Sequence, residues 1–309
     1  MNRKLLSSLT LRTCSFFVAF VLLLSFQSQS QVGIYTTSLL TGVAPEDMNG
    51  FSPLFLPPQD NTASTVQNIG FNFTFNNIVY TQFSTNSNGL MRLGSTAVST
   101  NAVNQLTVNS DFPKIAPYWD DLNTGSSGYS GYKLIGTAPN RKLSIEWILA
   151  IPKNSTTNAG RFQVWLFEST NVVQFVYSTG MTVNSGTSGY SVGLSTSTTD
   201  YMSVVPSGAT ATFSKTVESN SITAAITSGV SYKFTPPIVP PGCATNLSPA
   251  AGTTGVSKAT SISWAVGTGS PTSYDVYFGT STIPPLVASG VTSTTYTPSS
   301  TLTSNCSSD

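Results

Sequence analysis

The sequence of 309 residues contains 13 Lys and Arg, 12 Asp and Glu, and no histidine. The missing imidazole excludes Ser-His-Asp and Cys-His nucleophiles and histidine-ligated zinc, and the balanced charge gives no indication of a nucleic-acid-binding surface. Charged residues make up 8% of the chain and hydrophobic residues 39%. This composition favours a weakly charged, all-β extracellular protein over a disordered one.

Residues 1–30 have the layout of a secretory signal peptide. Basic residues precede the apolar run 16–24, and small side chains such as Ser30 allow cleavage before Gln31. The apolar run is too short to span a bilayer comfortably, and no later segment is apolar for long enough to do so. We therefore expect an exported protein, secreted or at the cell surface, without an integral membrane segment.

Residues 31–235 are predicted to form one large antiparallel β-sandwich of the jelly-roll type. Turn pairs such as Asn76-Asn77 and Asn88-Gly89 separate short β-prone runs, and no segment shows a sustained helical period. Strands are predicted at 69–75, 78–83, 90–93, 142–149, 162–167, 172–177, 190–194 and 230–234. Short strands at this frequency are typical of a sandwich or a barrel.

A proline-rich linker is predicted at residues 236–242, because prolines at this density do not fit inside a sheet. Residues 243–309 then show a strand around Trp264 and a Tyr-rich strand at 274–278, a pattern typical of an immunoglobulin-like or fibronectin type III sandwich. Such a sandwich needs roughly 100 residues. We therefore expect this second module to be incomplete.

Several segments of the first domain resemble the nidogen-like extracellular domain of modular exported bacterial proteins. They are IGFNFTFNNIVYTQFSTNSNGLMRLG, IAPYWDDL, GTAPNRKLSIEW and RFQVWLFESTNVVQFVYS, which lie within residues 66–195. The later segment NLSPAAGTTGVSKATSISWAVGTGSPTSYDVYFGTS is similar to bacterial fibronectin type III-like domains. In such proteins more strands, further modules and often a sorting domain follow, and here the pattern breaks at Thr303. The resemblance implies adhesion or extracellular binding, with polysaccharides, other surface polymers or surface proteins as partners.

Asp120 and Asp121 form the densest acidic spot in the sequence, with Asn123 close behind. Adjacent carboxylates at the end of a strand could supply part of a calcium shell, which makes calcium the one candidate cofactor. The alternative is that both carboxylates bond loop amides through Asx-turns. The spacing matches neither an EF-hand nor a nonapeptide calcium repeat, so we favour the alternative.

A glycoside hydrolase would need two carboxylates about 5–9.5 Å apart across a cleft. Asp120 or Asp121 with Glu146 is the candidate pair, and Glu168 is the remaining clustered carboxylate. Glu146 alternates with the apolar residues of its strand, so it is expected to project away from the core. We therefore predict that the protein is not an enzyme and keep the hydrolase as the alternative, beside a purely structural surface spacer.

Trp165 and Phe167 are the candidate ligand-binding aromatics. They alternate with Phe162, Val164 and Leu166, so they face outward if that set faces the core. Outward aromatic rings can stack on sugar rings or dock a partner. The alternative is that a second sheet or a long loop covers both faces of the strand.

Three cysteines are present, and Cys14 leaves with the predicted signal peptide. Export permits a disulfide between Cys243 and Cys306. Because Cys306 lies where the fibronectin-like pattern breaks, we favour two free thiols, and the sequence leaves the pairing open.

Overall fold

The computed structural model describes residues 32–155, 159–178, 181, 189–237, 242, 244–250, 253–254, 256–257, 260–267, 271, 273–279 and 282–298. The signal-peptide prediction for 1–30, both remaining cysteines and the middle of the proline-rich linker lie outside these residues. Within the described part of the chain, no helix is both long and apolar enough to cross a membrane.

The first domain begins with a 3-10 turn at Val32–Ile34 and continues through strands that alternate with loops. The strands are β1 Thr36–Leu40, β2 Ser52–Phe55, β3 Gln67–Phe75, β4 Ile78–Thr85, β5 Met91–Leu93, β6 Lys114–Trp119, β7 Tyr129–Ile135, β8 Lys142–Ala150, β9 Ala159–Phe167, β10 Val173–Tyr177, β11 Ser191–Ser195, β12 Tyr201–Ser207, β13 Thr210–Ser214 and β14 Ser231–Thr235.

These strands form two seven-stranded antiparallel sheets. The first sheet has the order β1-β14-β10-β9-β8-β7-β2, and the second has the order β13-β12-β11-β6-β5-β4-β3. The predicted all-β antiparallel sandwich is therefore confirmed. Each sheet mixes strands that are distant in sequence, since β1 pairs β14 and β11 pairs β6.

An aromatic core fills the space between the sheets. Trp147 stacks on Phe162 at 5.4 Å between ring centroids, and Tyr118 stacks on Tyr190 at 4.0 Å. All four side chains are fully buried. Large aromatic rings contribute most of the burial free energy in such a core, and offset or edge contacts between them add to it.

The edge strand β3 is protected by groups of the opposite sheet. The N–H of Thr74 donates to Asn171 Oδ1 at 2.7 Å, and the carbonyl of Gly70 accepts from Arg141 at 2.8 Å. Side chains that bond to an exposed edge block its pairing with another chain. This nine-residue edge is therefore partly closed against aggregation.

Lys114 is a buried lysine that ties the loop before β6 to the second sheet. Its ammonium group donates to the carbonyls of Gln105, Leu106 and Val108 at 3.1, 3.0 and 2.6 Å. It also lies 4.3 Å from the centre of the Phe112 ring. Burial lowers the pKa of Lys114 to about 8, against the raising effect of nearby carboxylates.

The pH dependence of stability follows from this lysine and from the buried tyrosines. Because the folded pKa of Lys114 lies below its unfolded value, the folded state binds fewer protons, and stability rises between about pH 8 and 10. Burial raises the pKa of Tyr35 to about 12 and holds that of Tyr177 well above its usual value. Stability therefore falls as unfolded tyrosines ionise above about pH 10.

Urea unfolding at a series of pH values measures both effects. We expect a maximum in the free energy of unfolding near pH 10, and little change near pH 6.5, where histidine would titrate, since the chain has none. Lys114→Met should remove the rise from pH 8 and leave the loss at higher pH. A wild-type curve that falls from pH 8 onward would contradict this assignment.

The second module consists of two small sheets. Strands β15 Thr245–Ser248, β16 Ile262–Ala265 and β19 Thr295–Tyr296 form one sheet, and β17 Tyr274–Tyr277 and β18 Leu286–Val291 form the other. Residues of both sheets line a cavity of about 360 Å³, where the half-buried Trp264 contacts Tyr274 at 5.3 Å between ring centroids. The fibronectin type III assignment and the domain boundaries stay predictions.

The two domains are expected to differ in resistance to proteases. Several large apolar side chains of the second module are exposed, such as Ile283 at 86% and Leu247 at 63%. Small sheets with little buried surface open easily, whereas the sandwich core is fully packed. Limited proteolysis followed by mass spectrometry should cut residues 244–298 first and leave a fragment that ends near residue 235. Equal resistance of both parts would contradict the expectation.

Candidate functional site

The loops at one end of the sandwich meet at a buried turn formed by Asn86 to Gly89. Asn86 Oδ1 accepts from the N–H groups of Asn88 and Leu90 at 3.1 and 2.9 Å, and the Asn86 carbonyl accepts from Trp147 Nε1 at 3.0 Å. The turn therefore joins the second sheet, through Leu90, to the first sheet, through Trp147. The sequence predicted the turn, but not these long-range contacts.

Asn88 fixes the acidic loop after β6 to the same turn. Its Oδ1 accepts from Leu122 N at 3.0 Å, and its carbonyl accepts from Asp120 N at 3.2 Å. Asp120 is almost fully buried, and its Oδ1 accepts from Asp121 N at 2.8 Å. The two carboxylates of the predicted acidic spot therefore differ, since Asp120 is buried and Asp121 is partly exposed.

Asp121 belongs to a charged cluster at the rim of this end. The Lys153 ammonium lies 2.7 Å from the carboxylate of Asp121 and 3.2 Å from that of Asp60. Burial would lower the pKa of Lys153, but the hydrogen bonds to both carboxylates outweigh it and raise that pKa. We call these three residues the rim cluster. Its surface presents two carboxylates around one ammonium group.

The residues predicted to bind calcium already have protein partners. Asn123 Oδ1 accepts from Gly125 N at 3.1 Å, and Asn123 Nδ2 donates to Asn154 at 2.6 Å. Asp121 pairs with Lys153. Among the residues that the structure describes, no three His, Cys, Asp or Glu side chains are grouped so as to hold a metal ion. A calcium ion at this position would have to displace the ammonium of Lys153 from Asp121.

An open groove adjoins the rim cluster. It has a volume of about 540 Å³ and is lined by residues of the segment 53–65. Its lining includes the apolar residues Leu54, Leu56 and Pro57, and Leu56 is 53% exposed. The lining also includes amide and hydroxyl groups, among them those of Gln59 and Thr62. The groove could not be predicted from the sequence. The prolines and polar residues of this segment indicate a loop, but they do not indicate the shape that the loop takes.

The outer face of the first sheet is covered by the chain between β1 and β2. These two strands lie at opposite edges of the sheet, so residues 41–51, here the crossing segment, pass over it. Val43 N donates to the carbonyl of Gly229, Glu46 N donates to Gln163 Oε1 at 2.8 Å, and Phe51 stacks on Tyr129 at 4.7 Å. A layer of polar side chains lies below.

Trp165 and Phe167 occupy this outer face, since Phe162, Val164 and Leu166 pack in the core. Trp165 is only 7% exposed: its Nε1 donates to Gln163 Oε1 at 2.8 Å, and the Lys142 ammonium lies 4.0 Å from its ring centre. Phe167 is half-buried. Since Lys142, which pairs with Glu46 of the crossing segment, lies over the Trp165 ring, a ligand can stack on that ring only if Lys142 moves aside.

Glu146 lies on the outer face as its alternation predicts, but it is fully buried. Its carboxylate accepts from Arg161 Nε at 2.6 Å, Gln163 Nε2 at 2.8 Å and Tyr129 OH at 2.9 Å. Burial and the adjacent Glu146 charge raise the pKa of Tyr129 to about 12. Glu146 therefore lies on the predicted side of the sheet, but the crossing segment and its polar partners bury it there.

The carboxylates of the hydrolase alternative are separated by the first sheet. Asp120 bonds to the Asn86–Gly89 turn, which Trp147 reaches from the core side of β8, whereas Glu146 points to the outer side. The fourth acidic candidate, Glu168, forms an ion pair with Arg141 at the end of the β9 hairpin, and the hydrogen bonds from Arg141 lower its pKa. The structure therefore does not bring these carboxylates together across one cleft.

Comparison with known proteins gives one match. A family model described as NIDO related matches residues 34–236, from the 3-10 turn to the end of β14. Neither a curated protein nor a solved structure matches the chain. The match supports the resemblance to a nidogen-like domain and extends it to the whole sandwich. Over these residues, the chain belongs to the NIDO-related family.

Proposed function

We propose that this protein is exported and acts as a non-catalytic adhesion or binding protein, secreted or at the cell surface, that recognises glycans or other surface polymers. Membership in the NIDO-related family supports a binding domain of the extracellular type. The observation that carries the proposal is the groove along residues 53–65 with the rim cluster beside it.

The chemistry of this groove suits a polymer with both apolar and hydroxylated faces. The exposed apolar side chain of Leu56 can pack against the C–H face of a sugar ring, and the amide and hydroxyl groups of Gln59 and Thr62 can bond to ring hydroxyls. The rim cluster adds carboxylates and an ammonium group for polar contacts. The buried Trp165 supports a stacking role less well than this open surface does.

The proposed function is not catalytic, because the candidate acid and base do not lie in one site. The buried carboxylate of Glu146 bonds to Arg161, Gln163 and Tyr129, which leaves it no open position toward a substrate. A glycosidase needs its two carboxyl groups on either side of one scissile bond. A binding role needs only the exposed surface.

Retention of the full chain on immobilised neutral and acidic polysaccharides and on matrix proteins, with and without calcium, tests the proposal. We expect retention on at least one polysaccharide, and Leu56→Asp should weaken it at least about tenfold. Val217→Asp is the matched control, because Val217 is 66% exposed and outside the groove. Loss of retention in both variants, or no retention on any surface, would overturn the proposal. Retention that needs calcium would instead favour the Asp120, Asp121 and Asn123 site.

A further inference from the structure

The sequence contains two Asn-Gly pairs, and the structure places them in opposite environments. Asn49-Gly50 lies on the crossing segment with both residues exposed, whereas Asn88-Gly89 lies in the fully buried turn. In an Asn-Gly pair the backbone nitrogen of Gly can attack the side-chain amide of Asn, because Gly has no side chain to hinder the approach. The environment decides whether the attack occurs.

Nothing around Gly50 obstructs such an attack. Gly50 has a φ of +77°, and no heavy atom lies within 4 Å of the position that a Cβ would occupy. In the part of the chain that the structure describes, no hydrogen bond engages the N–H of Gly50. The Asn49 side chain makes a single exposed bond, from Nδ2 to Asp47 Oδ2 at 3.0 Å. An exposed bond of this kind costs only about 1 kcal/mol to break.

Lys133 adds a chemical activation. Its ammonium group donates to the backbone carbonyl of Asn49 at 2.7 Å and to that of Asp47 at 3.1 Å. A cation on the Asn49 carbonyl withdraws electrons from the peptide bond between Asn49 and Gly50. The N–H of Gly50 thereby becomes easier to deprotonate, and the resulting amide anion is the nucleophile.

Asn88-Gly89 shares the positive φ of its glycine but lacks the open space and the loosely held side chain. The Asn88 amide donates to Asn61 Oδ1 and to the carbonyl of Thr100, both at 3.0 Å, and its oxygen accepts from Leu122 N. A Cβ on Gly89 would lie 1.9 Å from the carbonyl oxygen of Tyr118. The Asn88 side chain cannot rotate toward the nitrogen of Gly89 unless the turn opens. The same pair of residues therefore serves as an internal control.

We propose that Asn49 is a site of spontaneous deamidation in the folded protein and that Lys133 promotes the reaction. Hydroxide removes the Gly50 amide proton and becomes water, and the nitrogen bonds to Cγ of Asn49. The bond from Cγ to Nδ2 then breaks as water protonates Nδ2, so ammonia leaves and hydroxide is regenerated. Water then opens the cyclic imide at either carbonyl and leaves an aspartate or an isoaspartate at position 49. The net reaction consumes one water and adds one negative charge beside Asp47.

The experiment incubates the folded full chain in oxygen-18 water at neutral and mildly alkaline pH and maps its peptides by mass spectrometry. We expect Asn49 to convert at least about tenfold faster than Asn88, because Asn88 must first open the buried turn. Conversion at Asn49 should rise with pH and carry the heavy oxygen into the new carboxylate. In urea the two sites should react at similar rates. Equal rates of deamidation at Asn49 and Asn88 in the folded protein would overturn the proposal.

Two variants separate the site from its activation. Asn49→Gln keeps the amide but can close only a six-membered imide, which forms far more slowly, so it should abolish the charge change at this site seen by isoelectric focusing. Lys133→Met should slow conversion at Asn49 and leave Asn88 unchanged, because its removed contacts are the carbonyls of Asp47 and Asn49. An unchanged rate at Asn49 in Lys133→Met would overturn the role of Lys133.

Discussion

Gly89→Ala is expected to prevent stable folding of the sandwich or to lower its free energy of unfolding by more than about 4 kcal/mol. The new Cβ would lie 1.9 Å from the backbone oxygen of Tyr118, a contact that no rotamer can relieve. The backbone of Gly89 also has a φ of +80°, which an L side chain rarely adopts. The turn would therefore have to move away from β6.

Moving this turn would break contacts that hold both sheets. The N–H groups of Asp120 and Leu122 bond to Asn88, and Trp147 bonds to Asn86. Each buried group left without a partner costs about 1–3 kcal/mol. The penalty at Gly89 therefore extends beyond the steric contact itself.

Gly50→Ala is the matched control for this prediction. Gly50 has nearly the same φ, +77°, but its Cβ position is open. We expect it to cost only about 1 kcal/mol, the usual penalty of a left-handed backbone for Ala. Urea unfolding followed by tryptophan fluorescence compares the two variants with the wild type. If Gly89→Ala loses no more stability than Gly50→Ala, then the strain of the positive φ, and not the close contact between Gly89 and β6, explains why glycine is required.

β3 is the clearest predicted strand, because one of its faces is buried and the other is open. β3 alternates between buried and exposed residues along its length, and its predicted range 69–75 lies within the observed Gln67–Phe75. Alternation of this kind is visible in sequence because the two faces meet different environments. For β8 the side of the sheet predicted for each side chain was also right, since Leu143, Ile145 and Trp147 face the core.

Burial on both faces hid β6 from a prediction by period, although β10 and β11, which are also buried at every position, were predicted. β6 is buried at all six positions, because Ile115 and Tyr118 join the main core while Ala116 and Trp119 join a second apolar cluster on the other side. Its alternation is therefore hidden, and only the resemblance through IAPYWDDL pointed to it. The edge strand β13 was missed for the opposite reason, because none of its residues is buried.

The candidate sites depended on contacts between distant parts of the chain. The outward direction of Trp165 and Glu146 followed from the alternation along their strands. Their burial could not be predicted, because Glu46, which bonds to Gln163 and Lys142 on that face, lies 117 and 96 residues earlier in the chain. The rim cluster likewise joins Asp60 to Lys153 across two loops. Sequence could name the acidic spot at Asp121, but not its lysine partner, since loop contacts are set by the tertiary fold.

Arg161→Met is expected to lower the free energy of unfolding by about 3 kcal/mol, because it leaves the carboxylate of Glu146 buried without its cation. Glu146 is fully buried, and its bond to Arg161 Nε is 2.6 Å long. The remaining bonds from Gln163 and Tyr129 are neutral and cannot replace the charge. The loss should therefore exceed that for an exposed ion pair.

Two comparisons make this prediction specific. Lys153→Met breaks an ion pair in which Asp60 is 48% exposed, and it should cost no more than about 1 kcal/mol. The double variant Glu146→Gln with Arg161→Met removes both charges and should recover most of the stability lost in Arg161→Met. Urea unfolding of the wild type, Glu146→Gln, Arg161→Met and the double variant gives the coupling free energy between the two side chains, and Lys153→Met is measured beside them. Two results would contradict the prediction: Arg161→Met loses no more stability than Lys153→Met, or the double variant recovers no stability. Either would mean that the buried carboxylate does not depend on its arginine. The hydrogen bonds from the crossing segment must then hold that face of the sheet instead.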